Sequence, residues 1–311
     1  MGTLVSAQGG REERAEIDPY TEGAAEAMAA LGESSFGPFQ WNGATTTDGV
    51  EEALGGVPIL WVETKHFRIG STLEGMGWPT ERGDKKALRA ELAALAKRLK
   101  AIPKKPKRID PWLRLHLFAT RLEGLYTDFE TTFGLSDDEF PSAKGADPYL
   151  GKGAYLGLES RFRVILFEKG SSLARYTKLY CEGESENSYR YYDRGLGGFF
   201  FGVALDSLEG DYASDRGLTY ALYFGVAQCL VNGFRGYDHK TPVWALQGIP
   251  RWFARRFEPR FLHYTTRPGE AVRRSEKDAR WPQKVRARVE HDFFPKMAEI
   301  IAWGDVAKMG L

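Results

Sequence analysis

The sequence predicts an α+β fold, and three observations carry that reading. The segments 162–167 and 198–205 are apolar and aromatic almost throughout, as strands inside a sheet are. The segments 84–99 and 217–234 instead repeat their apolar residues every three or four positions, the spacing of a helix with a buried stripe. A few strands are followed by a helix-rich half, which segregates the two element types rather than alternating them.

Taken in order, residues 1–55 are rich in Gly, Ala, Glu and Thr with little periodicity, and read as a partly irregular N-terminal arm. The start, Met1 to Gln8, lacks the basic-then-apolar pattern of a signal peptide. Both a cytoplasmic chain and one exported after signal removal fit that start, so the compartment stays open. Residues 56–210 read as a sheet-containing lobe. Its first ordered stretch, 58–69, has the β-branched and aromatic content of one or two short strands and ends in the glycines between Gly70 and Gly83.

From Asp84, which is placed to cap the next helix, Leu88, Leu92, Leu95 and Leu99 mark one face, and Pro103 and Pro106 stop it. Residues 113–133 read either as one helix or as a strand followed by a helix. Leu115 and Leu117 alternate with polar residues, whereas Leu122, Leu125, Tyr126 and Phe129 have helical spacing. Residues 137–153 read as loop, 162–167 as a buried strand, 171–180 as a helix and 197–205 as a further strand.

The last lobe, 211–311, is helical. Leu218, Leu222, Val226, Cys229 and Leu230 share a face, and Gly233 is placed to end their helix. A polar loop, 235–240, leads to a second helix at 242–257 that opens on Pro242. A charged stretch, 273–288, then precedes 293–303, whose apolar residues are expected to dock back on the body.

Forty-three basic and 42 acidic side chains leave a formal charge of +1, so net charge gives no general attraction to nucleic acid or anionic membrane. Arg255, Arg256, Arg260, Arg273 and Arg274 form a basic stretch, but nearby Asp and Glu make it a solvated face. No apolar run is long enough to span a bilayer, and the chain is expected to be soluble. Cys181 and Cys229 form one bridge at most, or stay as two buried thiols. Phosphate-loop and GxSxG serine-nucleophile motifs are absent. The histidines His66, His116, His263 and His291 are too scattered to suggest joint metal binding. His239 sits between Asp238 and Lys240 and reads as an exposed loop residue. The acidic run Glu182, Glu184, Glu186 before Tyr189 to Tyr192 reads as a solvated connection with aromatic anchors.

The segment 222–257 carries the one constellation that points to a chemistry. A helical zinc peptidase needs two histidines one turn apart on one helix face, a glutamate that works on the metal-bound water, and a third ligand from a later element. Here Tyr223-Phe224-Gly225-Val226-Ala227-Gln228 is followed, with 18 residues between Gln228 and Gln247, by Pro242-Val243-Trp244-Ala245-Leu246-Gln247-Gly248-Ile249-Pro250. This stretch resembles the active-site helix pair of gluzincin-type zinc metallopeptidases, in particular the bacterial peptidase MA-like group. That group carries His-Glu-x-Ala-His on one helix and a proline, a tryptophan and a Glu-Gly-Leu-Ala-like run on the next. Glu63-Thr64-Lys65-His66-Phe67-Arg68-Ile69 resembles a strand that often opens such domains.

The resemblance implies a gluzincin-like fold, with a mixed sheet packed against the active-site helix and the 198–205 strand at the sheet edge beside it. It puts Phe224 and Gln228 at the two histidine positions, Gly225 at the catalytic glutamate and Gln247 at the glutamate ligand. It also makes Tyr191, Tyr192, Phe200, Trp244 and His239 cleft-lining candidates. Phenylalanine has no lone pair to donate, glycine has no side chain to activate water, and neutral amides are poor ligands for zinc. The resemblance therefore implies a degenerate member with no metal, no cofactor and no catalytic residue at this site. It would act as a binding or scaffold module for a peptide or protein partner. A hydrolase using a non-zinc site in the same cleft and a structural protein of chance resemblance are the competing readings. The ligand and the oligomeric state are not written in the sequence.

Overall fold

A computed structural model describes residues 17–141, 148–237, 241–261, 281–293 and 295–302. A six-stranded mixed sheet orders the chain: β1 (Glu33–Ser35), β4 (Leu60–Thr64), β5 (Phe67–Ser71), β6 (Phe162–Phe167), β8 (Gly198–Ala204) and β7 (Ser188–Asp193) lie side by side in that sequence. The pairs β5·β6 and β6·β8 are parallel, while β1, β4 and β7 run antiparallel to their neighbours. A separate small hairpin joins β2 (Gln40–Asn42) and β3 (Thr45–Thr46). The α+β class expected from the sequence is what the fold has.

Alternation along the central strands assigns each residue to one face of the sheet. Val62, Phe67, Ile69, Val164, Leu166, Phe199, Phe201 and Val203 face one way, into a core shared with α4 (Pro111–Phe133) and α6 (Asp215–Gly233). Trp61, Ile165, Phe167, Phe200 and Ala204 face the other way, against α5 (Gly170–Tyr180), α2 (Thr47–Ala53) and Trp41. Both faces are covered, which is why β6 and β8 are buried along their whole length. A third layer lies outside α4, where α1 (Ala25–Leu31) and α3 (Arg82–Arg98) pack Leu31, Leu88, Leu92 and Leu95 against Leu113 and Leu117.

Several elements differ from the sequence reading. From residue 17 on, the stretch read as a partly irregular arm contributes regular elements to the fold. β1 closes one edge of the sheet, and Trp41, Val50 and Leu54 are core residues. The signal was weak because its elements are two to seven residues long, too short to show a period.

Residues 111–133 form one helix. Asp110 caps it by accepting from the Leu113 amide at 3.0 Å, and Gly134 ends it at φ 65°. The strand-like alternation came from Arg114 and His116, which are polar but buried in ion pairs, so α4 is covered on every side here. Asp84 lies inside the first turn of α3 rather than at its cap, and instead pairs with Arg216 and Arg260.

The Tyr189–Tyr192 stretch is β7, a strand rather than a solvated connection. It forms the edge of the sheet, so β8 lies one strand in from the position the resemblance implied. Phe293 and Ile301 are exposed rather than docked, in contrast to the expectation for 293–303. Trp303, His263, Arg273, Arg274 and the 238–240 segment lie outside the described residues. Among the described residues no helix is long and apolar enough to cross a membrane.

Candidate functional site

The two helices singled out by motif pack directly on each other. Ser214 caps α6 through its hydroxyl, which accepts from the Gly217 amide at 3.1 Å. Gly217 itself is required, because a Cβ there would lie 2.2 Å from the Tyr212 carbonyl oxygen. Asp215, in the first turn, binds Arg114 and Arg121 of α4, and the Tyr223 hydroxyl donates to the Arg121 carbonyl oxygen at 3.1 Å. These bonds fix the rotation of α6. Leu218, Leu222, Val226, Cys229 and Leu230 then meet the sheet, and the stripe Tyr220, Phe224, Gln228 is turned away from it. Gly233 is the last helical residue rather than a left-handed cap. Its role is close approach, since a Cβ would meet the Leu158 Cδ1 at 2.7 Å.

The Tyr220–Gln228 stripe faces the second helix, α7 (Val243–Phe257). Phe224 is 5% exposed and clusters with Tyr220, Ala254 and Phe261, while the Arg251 guanidinium lies 6.0 Å from its ring centre. Gly225 is pressed against β8. An ideal Cβ at this position would come within 2.0 Å of the Phe201 Cε2, so the ring fills the volume a side chain would need.

Gln228 has a specific structural task. Pro250 is a buried proline inside α7 and has no N–H to return to the carbonyl of Leu246, four residues earlier. The Gln228 Nε2 donates to that Leu246 oxygen at 3.3 Å. The helix bond removed by one residue of the second helix is thus replaced by a side chain of the first.

Gln247 and Trp244 belong to the same helix, one turn apart. The Gln247 Oε1 and the Trp244 Nε1 are both buried with no hydrogen-bond partner among the described residues. A lone acceptor and a lone donor therefore remain on the Trp244–Gln247 side of α7.

Of the residues expected at this site, Phe224 and Gln228 lie on the face of α6 that meets α7, Gly225 lies against β8, and Trp244 and Gln247 lie on α7. Tyr191 and Phe200 are corrected. They sit opposite one another in register and pack on the α5 face of the sheet, so the sheet itself separates them from Phe224 and Gln228. Tyr192, one residue on, points to the α6 face and packs against Tyr237 at 4.0 Å between ring centres. His239 falls outside the described residues.

Cys181 and Cys229 are free and buried, and burial pushes each thiol up to about 12. Neither is an available nucleophile at neutral pH.

Sequence reasoning missed two clusters of ionisable groups. His116 is fully buried, with Nδ1 2.7 Å from Glu33 and Nε2 3.2 Å from Asp18. His66 bridges Glu123 and Asp137. In each case the partners are at least 57 positions away along the chain, and only the fold joins them. A histidine inside an otherwise apolar helical stretch was the one available hint for His116. Among the described residues no group of three or more His, Cys, Asp or Glu side chains is arranged to hold a metal ion. Set against protein-family models, curated proteins and solved structures, the chain matches none.

Proposed function

We propose that the chain is a catalytically inactive, metallopeptidase-like protein whose helix pair serves a binding or scaffold role toward a peptide or protein partner. The observation that carries this reading is the space beside Gly225. The resemblance equates this position with the glutamate that acts on metal-bound water, and a Cβ here would overlap the Phe201 ring at 2.0 Å. The position is closed to any side chain while Phe201 holds its rotamer.

The neighbouring positions support the same conclusion by other means. Phe224 provides an aromatic face to Tyr220 and Phe261 where a ligand would need a lone pair. The Gln228 amide is engaged by the Leu246 carbonyl. Zinc peptidase chemistry requires three strong ligands and a base, and the side chains at these four positions supply none of them. What the helix pair offers instead is a rigid, aromatic-lined junction with one orphan acceptor, Gln247 Oε1, and one orphan donor, Trp244 Nε1, among the described residues.

The test is equilibrium dialysis of the full chain against excess Zn²⁺, followed by metal analysis, with peptide hydrolysis assayed alongside. The expected result is no stoichiometric zinc that depends on Gln228 and Gln247, and no chelator-sensitive cleavage. One equivalent of zinc lost on Gln247→Ala, or hydrolysis abolished by chelator, would overturn the reading.

A further inference from the structure

The stretch that ends α3 and leads to α4 differs from the rest of the molecule in charge. Residues 97–108 read Lys-Arg-Leu-Lys-Ala-Ile-Pro-Lys-Lys-Pro-Lys-Arg, with seven basic side chains and no acidic one. Seven of the 43 basic residues lie here and none of the 42 acidic ones, so the remainder of the chain has 36 basic against 42 acidic. A chain with almost no net charge is thus one positive segment on a mildly negative body.

The fold pins this segment from within. Ile102 and Ile109 are buried, and Ile109 exchanges backbone hydrogen bonds with Met76 at 2.7 and 2.9 Å. The Trp78 Nε1 donates to the Pro106 carbonyl oxygen at 2.8 Å. Arg98 donates to the Ala30 carbonyl oxygen at 2.9 Å, and Arg108 to that of Gly75 at 3.2 Å. Pro103 and Pro106 restrict the backbone further. The lysines take no part in this anchoring. Lys97, Lys100, Lys104, Lys105 and Lys107 are all exposed, and none of their ammonium groups is in an ion pair or hydrogen bond among the described residues.

Local structure accounts for some of this charge. Lys97 and Arg98 occupy the last turn of α3, where the helix dipole favours cations. No such role falls to Lys100, Lys104, Lys105 and Lys107, four ammonium groups within eight residues of an anchored loop.

We propose that this loop is a docking surface for the phosphate backbone of a nucleic-acid duplex, held chiefly by Lys100, Lys104, Lys105 and Lys107. The surface works by charge alone. No large apolar side chain is exposed between residues 97 and 109, which leaves nothing to insert into a bilayer. A charge-only surface gains most from the partner of highest linear charge density. A duplex carries one phosphate charge per about 1.7 Å of its axis, with a condensed ion atmosphere that binding releases. Ammonium groups meet phosphates as point charges, so the contact is independent of base sequence. The anchors fix the loop beforehand, and the ordering cost of binding falls on the lysine side chains. The surface uses none of the residues of the α6–α7 pair and stands apart from the role proposed for it.

Fluorescence anisotropy of a labelled mixed-sequence duplex, titrated with the full chain over a salt series, reads this docking. The logarithm of the binding constant is expected to fall against the logarithm of salt with a slope of about −3.6 or steeper, about 0.9 for each lysine contact. Replacing all four residues, as Lys100→Gln, Lys104→Gln, Lys105→Gln and Lys107→Gln, should weaken binding by about tenfold or more at about 0.1 M salt and flatten the slope. Arginine at the same four positions keeps every charge and should retain the binding, which separates lost charge from lost folding. Lys152→Gln, Lys169→Gln and Lys178→Gln together remove exposed lysines elsewhere and should change affinity by no more than about twofold. No binding at low salt, or equal losses in the two glutamine sets, overturns the proposal. So does equal or tighter binding to anionic phospholipid vesicles or to polyglutamate under the same conditions.

Discussion

The bond from Gln228 to Leu246 gives a quantitative test of how the α6–α7 pair is held together. Pro250 deprives the Leu246 carbonyl of its helical donor, and the Gln228 Nε2 takes that place at 3.3 Å. A neutral hydrogen bond of this kind contributes about 1 kcal/mol net, and a buried carbonyl left without a donor costs about 1–3 kcal/mol. Gln228→Ala in the natural background should therefore lower stability by about 1–3 kcal/mol, counting both the lost bond and the orphaned oxygen.

Pro250→Ala changes the outcome, because an alanine at this position restores an N–H to the same carbonyl and suits a helix interior far better than proline. In that background Gln228→Ala should cost only its lost packing. The double-mutant cycle should show a coupling energy of about 1 kcal/mol between two residues on different helices. Urea unfolding of the four proteins, with m-values compared to confirm a common transition, provides the measurement. Additivity within about 0.3–0.5 kcal/mol would refute the assignment of Gln228 to the proline-vacated carbonyl.

Two further outcomes follow from the packing. Gly225→Ala should destabilise by at least about 2 kcal/mol, because its methyl would overlap the Phe201 ring at 2.0 Å, and adding Phe201→Leu should recover part of the loss; thermal unfolding of the single and double variants checks both. His116 is held at about 9 against burial by its hydrogen bond to Glu33 and its charge pairing with Asp18 and Glu33, above an ordinary value of 6.5. Its share of stability, on the order of 3 kcal/mol, is therefore present in full below pH 6.5 and lost as pH rises through about 9. His116→Gln should flatten that alkaline loss while destabilising the chain at neutral pH, and a stability curve unchanged between pH 6.5 and 9.5 would contradict the assignment.

Sequence patterns disclosed the elements that are long or uniformly apolar. β6 and β8 are buried on both faces, so their residues form unbroken apolar runs. α6 was legible from the apolar face repeated along it, and α7 from Pro242 opening it after a polar loop. Residues 17–55 were not, because their contribution is a three-residue edge strand, a two-stranded hairpin and two helices of seven residues each. α4 was ambiguous for a different reason. His116 and Arg114 look solvent-facing in a linear reading, but partners from Asp18, Glu33 and Asp215 neutralise them inside the protein. At the site, the two helices that carry Phe224, Gln228 and Gln247 were readable from the apolar face of the first and from Pro242 opening the second. The separation of Tyr191 and Phe200 from that pair was not, because it depends on which face of β7 and β8 each residue takes.

Phe224, Gly225 and Gln228 are each tied to a structural partner, Phe224 to Tyr220, Ala254 and Phe261, Gly225 to Phe201 and Gln228 to the Leu246 carbonyl. Phe201 occupies the space over Gly225, so a glutamate there first requires a smaller residue on β8. Gln228 serves a carbonyl exposed by Pro250, so an imidazole at 228 would leave Leu246 without its donor unless Pro250 changed too. Phe224 packs against Tyr220, Ala254 and Phe261, so a histidine at 224 would leave part of an aromatic cluster unfilled. Each substitution toward a metal ligand carries a packing or hydrogen-bond cost that a second residue must offset. With all three positions tied to a structural partner, single changes toward the ligand set would weaken the fold before they could create a site.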